Sequence, residues 1–142
     1  MSNQIDIAYL YEGKSGFISY EPAEMESLQE KKIFMLYGEV LSSGILKLIQ
    51  HMHIDERDVI YDLGGGVGKI PLHFFLNTSV KKACSVEGVY SRHQVAEQVF
   101  NQVRVQFPEL FSNGRELNAI CSNILETNIK DATILIVALY DE

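Results

Sequence analysis

The sequence has 142 residues, of which 46% are hydrophobic and 22% are charged, a balance typical of one globular domain with a real core. A formal net charge of −7 and the lack of a basic patch argue against nucleic acid as a partner. The longest apolar run, residues 132–139, is too short to span a bilayer, and the N-terminus lacks the basic region of a signal peptide. We therefore expect a cytoplasmic protein with no membrane partner.

The N-terminal part of the chain differs in composition from the rest. Residues 11–20 are rich in turn formers and aromatic side chains, which is typical of a lid or arm. Pro22 then opens a predicted helix with acidic residues in its first turns, where the helix dipole favours them. The sequence thus predicts two parts, an N-terminal arm and helix over residues 1–35 and a core over residues 36–142.

The core begins with a helix and continues as alternating strands and helices. Ser42 or Ser43 is expected to cap the first helix, whose apolar residues recur every three or four positions and should pack on a sheet. The pattern then predicts strands over 59–63, 83–86, 117–122 and 133–139, and helices over 69–77 and 91–107. The last strand is apolar on both faces, which favours a buried position. This order predicts an α/β fold with a doubly wound, mostly parallel, Rossmann-like sheet.

The cysteines and histidines do not suggest a metal site. Cys84 and Cys121 lack metal-ligand spacing and fall inside predicted strands, so we expect two buried free thiols. None of the four histidines stands near a cysteine or carboxylate at the spacing of a metal site. We expect all of them on the partly exposed surface: His51, His53, His73 and His93.

The glycine-rich loop after the first predicted strand is the strongest functional signal. Open parallel sheets bind nucleotides where such a loop leads from a strand into a helix. The glycines with GxGxG spacing are Gly64, Gly66 and Gly68. A phosphate-binding GxxxxGK loop would need glycine at Leu63 and a hydroxyl at Ile70, and the dinucleotide motif GxGxxG would need glycine at Lys69. The loop therefore fits a nucleoside without phosphate, with an ordinary strand-to-helix turn as the alternative.

Two acidic residues accompany the loop. Asp62 stands directly before it and can accept a hydrogen bond from an ammonium group, which S-adenosylmethionine has and a pyrophosphate lacks. Glu87 ends the second predicted strand, where an acid can bind both hydroxyls of a ribose. Glu87 alone would also fit a solvated strand end, but together with the loop the two acids predict a binding site for S-adenosylmethionine.

Three segments resemble a known family, the non-SET histone lysine methyltransferases of the disruptor-of-telomeric-silencing type, among the Rossmann-like S-adenosylmethionine enzymes. The resemblance covers residues 36–139. Its segments are Tyr37-Gly38-Glu39, the run DVIYDLGGGVGK over residues 58–69, and Val86-Glu87. The tripeptide at this distance before the glycine loop is more particular than the loop itself.

The resemblance implies a role for each site residue. Tyr37 and Glu39 would fold over the methionine end of the cofactor, with Asp62 and the three glycines beneath it. Glu87 would bind the ribose. The adenine contacts would come from the residues that follow the third strand, Asn123 and Ile124.

The chain departs from the family pattern at two places. Asn123-Ile124 stands where the family has an aspartate before an aromatic residue, and Tyr140 follows the fourth strand where the family has asparagines and then an aromatic residue. Tyr140 is therefore the candidate catalytic residue. A sulfonium methyl is already activated, so such an enzyme mainly aligns a neutral amine and excludes water. Without a basic tail to hold a nucleosome, the expected acceptor is a protein lysine or another amine.

The sequence ends just after the fourth predicted strand, where the family continues with further strands. The fold is thus expected to be truncated, with this strand as an unprotected edge that favours a homodimer through strand pairing.

Two classes of function stay open. One is a methyltransferase with a protein substrate, and the other is a catalytically reduced module that binds S-adenosylmethionine or a partner.

Overall fold

The computed structural model describes residues 7–14 and 41–137. In these residues the strands are β1 (Val59–Leu63), β2 (Lys82–Glu87), β3 (Glu116–Cys121) and β4 (Ile134–Ile136). The helices are α1 (Ser42–Gln50), α2 (Lys69–Asn77) and α3 (Tyr90–Gln106), with short 3-10 segments at Ala8–Tyr11, Pro108–Gly114 and Ile124–Glu126. Within the same residues, no helix has the length and apolarity needed to cross a membrane. The predictions for Pro22, Tyr37, Glu39 and Tyr140 lie outside the described residues.

The four strands form one parallel sheet in the order β3-β2-β1-β4. The chain moves outward from β1 through β2 to β3, and then returns to the opposite side of β1 for β4. Such a reversal of strand order is a topological switch point, and open α/β sheets bind ligands there, beyond the carboxyl ends of the strands. The predicted α/β, doubly wound, Rossmann-like sheet is confirmed, and its switch point lies between β1 and β4.

Two hydrophobic clusters lie on opposite faces of this sheet, because successive strand residues alternate between the faces. The main cluster joins Ile60 of β1 to the aromatic residues of α2 and α3, including Phe74, Phe75 and Phe100. Each of these phenylalanines is fully buried, which contributes about 1.5–3 kcal/mol per side chain. The smaller cluster contains Val59, Tyr61, Cys84 and Val86, and residues of the β3–β4 connection pack against it.

The edges of the sheet differ from what the hydrophobic pattern predicted. β4 pairs with β1 on one side, and no strand among the described residues pairs with its other side. Leu135 is 48% exposed, so burial of this strand on both faces was a wrong prediction, whereas within residues 7–14 and 41–137 the strand lies at one edge of the sheet, as expected. Cys121, at the end of the opposite edge strand, is exposed, and only Cys84 on central β2 is a buried thiol. Burial depends on the neighbouring strands, which a local pattern does not reveal.

Helix α1 packs on α2 rather than on the sheet. Its N-cap is Leu41, without a side-chain cap, and Ser42 is the first helical residue. The Ser42 hydroxyl instead lies 3.0 Å from Nε2 of His73. His73 is therefore buried between the two helices, at 3% exposure, and its predicted surface position is wrong. Burial lowers the pKa of His73, with a further contribution from the charge of Lys69.

The described part of the predicted N-terminal arm belongs to the core. Ile7, Leu10 and Tyr11 are buried in the main hydrophobic cluster, although the turn-rich composition favoured a lid from residue 11 onward. Ile7 precedes the 3-10 turn Ala8–Tyr11, and Leu10 and Tyr11 are the last two residues of this turn. The boundary between residues 35 and 36 stays a prediction, because residues 15–40 are not described.

Arg115 joins β3 to the C-terminal end of α2. Its Nε donates to the carbonyl of Val80 at 2.9 Å, and its Nη2 donates to the carbonyls of Phe75 at 2.8 Å and Thr78 at 3.1 Å. The guanidinium carbon also lies 4.1 Å from the ring centroid of Phe75. The last carbonyls of a helix have no partner within the helix, so this side chain satisfies acceptors that would otherwise be left unpaired.

We expect Arg115→Ala to lower the free energy of unfolding by about 2–3 kcal/mol, because several charge-assisted hydrogen bonds and one ring contact are lost together. Arg115→Lys should recover little of this, since an ammonium cannot reproduce the planar fork of donors. Urea unfolding followed by circular dichroism measures both. Arg57→Ala is the control, because the Arg57 side chain is 85% exposed and pairs with nearby Asp55. A similar loss in both alanine variants would contradict the assigned role of Arg115.

Candidate functional site

The glycine loop turns sharply at the carboxyl end of β1. The amides of Gly64 and Gly65 both donate to the carbonyl of Val86, at 2.8 and 2.9 Å. Gly64, Gly66 and Gly68 have φ of 89°, 58° and 86°, a left-handed conformation that residues with a Cβ avoid. Glycine is therefore required at the three positions of the GxGxG motif because the backbone is left-handed there. The two amide hydrogen bonds attach the end of β1 to β2.

The loop lies against β2 and α3 with little room for side chains. A Cβ on Gly65 would collide with Oγ of Ser85, and a Cβ on Gly68 would lie 2.6 Å from Cζ of Phe100. Gly64 is different, since it is exposed and a Cβ there would meet only Cδ1 of Ile124, at 3.9 Å. The underside of the loop is thus packed, and Gly64 is on its accessible side.

Glu87 joins the loop to the start of α3 through its two carboxylate oxygens. Oε1 accepts from the amide of Gly66 and Oε2 accepts from the amide of Val89, each at 2.9 Å. The residue is 6% exposed and ends β2, where the sequence placed it. Each carboxylate oxygen can accept a further hydrogen bond, so these contacts leave acceptor capacity for the predicted ribose hydroxyls.

Asp62 is a buried carboxyl group with an unsatisfied oxygen. It is 1% exposed, and its Oδ1 has no hydrogen-bond partner among the described residues. Burial, together with the smaller effect of the nearby charge of Glu87, raises the pKa of Asp62 to about 7. An unsatisfied buried acceptor costs free energy, and a bound ammonium donor would remove that cost. The site therefore fits the amino group of a cofactor such as S-adenosylmethionine.

The residues that follow β3 come to the accessible side of the loop. The amide of Ser122 donates to the carbonyl of Glu87 at 3.2 Å, which brings the turn Ile124–Glu126 beside β2. Asn123 caps this turn, since its Oδ1 accepts from the amide of Leu125 at 3.0 Å. Ile124 is 40% exposed and faces Gly64. The contacts predicted for Asn123 and Ile124 with adenine stay a prediction.

Two residues of this site were not predicted. Ser85 pairs with Asp62 in the register of β1 and β2, and its buried Oγ also lacks a hydrogen-bond partner among the described residues. Its position two residues before Glu87 places both side chains on one face of β2, which the period of a strand could have shown. The other is Tyr11, whose hydroxyl donates to the carbonyl of Val67 at 2.9 Å. No local pattern reports that contact.

Metal ligands form no cluster in the residues that the structure describes. Within 7–14 and 41–137, no group of three or more histidine, cysteine, aspartate or glutamate side chains is arranged to hold a metal ion. Asp62 and Glu87 are a pair of carboxylates, and the oxygens of Glu87 are already engaged by backbone amides. The arrangement is suited to organic donors, namely ammonium and hydroxyl groups.

A parallel sheet with a glycine loop at its switch point and an acid at the end of β2 defines a Rossmann-like nucleotide-binding domain of the methyltransferase kind. The family model of the histone methylation protein DOT1 matches residues 19–135. The chain therefore belongs to the DOT1 family, and the resemblance found in its sequence is confirmed. A comparison with curated proteins returned no match.

Solved structures share this fold, and 46 of their chains match. One is the crystal structure of an RNA methyltransferase from Salinibacter ruber in complex with S-adenosyl-L-homocysteine, with a TM-score of 0.55 and 19% sequence identity. The similarity covers 72% of the present chain and 61% of that chain. The present chain thus spans less than two thirds of the other protein, and at this identity the likeness establishes the fold.

Proposed function

We propose that the chain binds S-adenosylmethionine and transfers its methyl group to a protein lysine or another amine. The unsatisfied oxygen of buried Asp62, beneath a loop fixed by Glu87, is the observation that carries this proposal. Membership of the DOT1 family supports methyl transfer to protein. The S-adenosyl-L-homocysteine in the Salinibacter ruber methyltransferase supports the choice of cofactor.

Each described residue of the site has a task in this proposal. Asp62 accepts from the amino group of the methionine part, and Glu87 accepts from the ribose hydroxyls while it holds Gly66. Gly64 allows the ligand to approach the backbone, and Ile124 provides an apolar contact for the adenine. The cofactor supplies an electrophilic methyl group when bound. The chain then has to align a neutral amine with that methyl group and exclude water, a task in which we propose that Tyr140 takes part, while Tyr37 and Glu39 fold over the methionine end of the cofactor.

Calorimetric titration with S-adenosylmethionine and S-adenosylhomocysteine tests the site. We expect both to bind, and we expect Glu87→Ala to weaken binding by about 100-fold or more, because the variant loses the ribose acceptor and the clamp on Gly66 together. Glu87→Gln keeps one acceptor oxygen and should weaken binding less. Glu116→Ala is the matched control, since it removes one negative charge from the exposed start of β3. A folded wild-type chain that binds neither ligand would overturn the proposal.

A second experiment separates the enzyme from the cofactor-binding module. Transfer of a labelled methyl group to histone proteins and to lysine peptides is measured with the wild-type chain and with Glu87→Ala. Transfer that depends on Glu87 supports the methyltransferase. Cofactor binding without transfer to any of these acceptors favours the catalytically reduced module, which keeps the site but not the reaction.

We also propose that two copies of the chain pair through β4. Among the described residues β4 is an edge strand, and Leu135 within it and Val137 just after it are 48% and 52% exposed, features that favour pairing with another strand. Leu135→Lys should convert a wild-type dimer into a monomer in sedimentation analysis, and a monomeric wild-type chain would refute the pairing. A cytoplasmic location is proposed as well, supported by the reduced thiol of buried Cys84 and testable by cell fractionation.

A further inference from the structure

The turn Ala8–Tyr11 packs beside the glycine loop. Tyr11 is 7% exposed, and its hydroxyl donates a 2.9 Å hydrogen bond to the carbonyl of Val67. Val67 lies between Gly66 and Gly68, which both have positive φ. Because glycine restrains its own backbone little, the peptide between these two glycines depends on outside contacts, and Tyr11 provides one of them.

Contacts from β2 hold the loop on another side. Glu87 accepts from the amide of Gly66, and the carbonyl of Val86 accepts from the amides of Gly64 and Gly65. All of these contacts fix N–H groups on the side of β2. Tyr11 fixes a carbonyl, and it reaches the loop from a segment that precedes it by 56 positions.

The aromatic ring of Tyr11 also lies at the point where the loop becomes a helix. The ammonium of Lys69, the first residue of α2, is 5.3 Å from the centroid of this ring, a distance at which a cation is attracted to the face of the ring. The turn is itself anchored on α3, because Tyr9 donates to Oε1 of Gln106 at 2.9 Å. The turn that carries Tyr11 is therefore attached to α3.

We propose that Tyr11 is a positioning residue of the cofactor loop, so that the turn Ala8–Tyr11 is part of the cofactor site. This inference rests on the proposed function. With the hydroxyl present, the loop is held in its binding conformation before the ligand arrives. Without it, the loop occupies other conformations as well, and the apparent affinity falls with the fraction of chains that stay competent.

Tyr11→Phe removes only the hydroxyl and keeps the ring, its packing and its contact with Lys69. We expect this variant to bind S-adenosylmethionine about five- to tenfold more weakly than the wild-type chain, as expected for one buried hydrogen bond. Tyr61→Phe is the matched control, because it removes a hydroxyl that donates to Asp131 at 2.7 Å, on a residue of the smaller hydrophobic cluster on the other face of the sheet. Its affinity should stay within about twofold of the wild-type value.

Hydrogen exchange of the ligand-free variants separates positioning from general stability. In Tyr11→Phe the amides of residues 64–69 should exchange faster, while those in the middle of α3 keep their wild-type protection. Wild-type affinity in Tyr11→Phe, or exchange that is faster throughout the chain, would overturn the inference. If the wild-type chain binds no ligand, the proposed function fails, and exchange in the loop still decides whether Tyr11 positions it.

Discussion

Gly68→Ala is expected to destabilise the protein by about 3–4 kcal/mol, which is a large part of the stability of a small domain. Gly68 has φ of +86°, and a Cβ there would lie 2.6 Å from Cζ of Phe100 and 3.1 Å from Cβ of Ala96. The left-handed conformation costs an alanine about 1–2 kcal/mol, and forcing extra volume against fully buried Phe100 costs about 1–3 kcal/mol more. Urea unfolding followed by circular dichroism measures the loss, because the chain has no tryptophan.

Gly114→Ala separates the two contributions. Gly114 has a similar φ of +77°, but a Cβ there would meet nothing within 4 Å. Its replacement should cost only the conformational part, about 1–2 kcal/mol. It should leave binding of S-adenosylmethionine unchanged, since Gly114 precedes the amino end of β3, whereas the loop follows the carboxyl end of β1 in the same parallel sheet. Equal losses of stability in the two variants would show that α3 moves to accommodate the added methyl group. The close packing of Gly68 against Phe100 would then contribute nothing to stability.

The glycine loop and the elements around it could be predicted from the sequence because their causes are local. The bounds predicted for β1 and α2 match those observed. One short stretch of sequence contains all the signals that define them: an apolar run, five loop residues and a proline in the first helical turn. Leu135, Cys121 and His73 were placed wrongly for the opposite reason. Whether a residue of β4, β3 or α2 is buried depends on which element lies beside it, and strand order is not a property of the strand itself.

In the candidate site too, the positions of residues could be predicted from the sequence, whereas their contacts could not. Asp62 and Glu87 lie at the strand ends that the sequence indicated, because the ends of neighbouring parallel strands meet at one edge of a sheet. Their hydrogen bonds were not predictable. Glu87 holds the amides of Gly66 and Val89, and Tyr11 reaches Val67 across 56 positions, so both depend on the packed structure. The predictions for Tyr37, Glu39 and Tyr140 rest on the family pattern alone.

Asp62→Asn is expected to make the ligand-free protein more stable at neutral and alkaline pH, even though it should weaken cofactor binding. Burial, and then the charge of Glu87, raise the pKa of Asp62 from 3.8 to about 7 in the folded chain. Between about pH 4 and pH 7 the folded protein therefore keeps a proton that the unfolded chain has released. Stability linked to this group is complete below about pH 4 and is lost as the pH rises through 7.

Unfolding of the wild-type chain and of Asp62→Asn, measured from pH 4 to pH 8, tests this expectation. The difference in unfolding free energy should grow in favour of the variant by up to about 1.4 kcal/mol per pH unit and reach about 4 kcal/mol. Parallel pH profiles would refute this expectation, whatever effect the new side-chain amide has on packing.

A carboxylate that destabilises the empty site is consistent with a residue that serves ligand binding, because a bound ammonium would pair with the charge that the fold leaves unpaired. S-adenosylmethionine should therefore raise the stability of the wild-type chain more than that of the variant, and most strongly at pH 8.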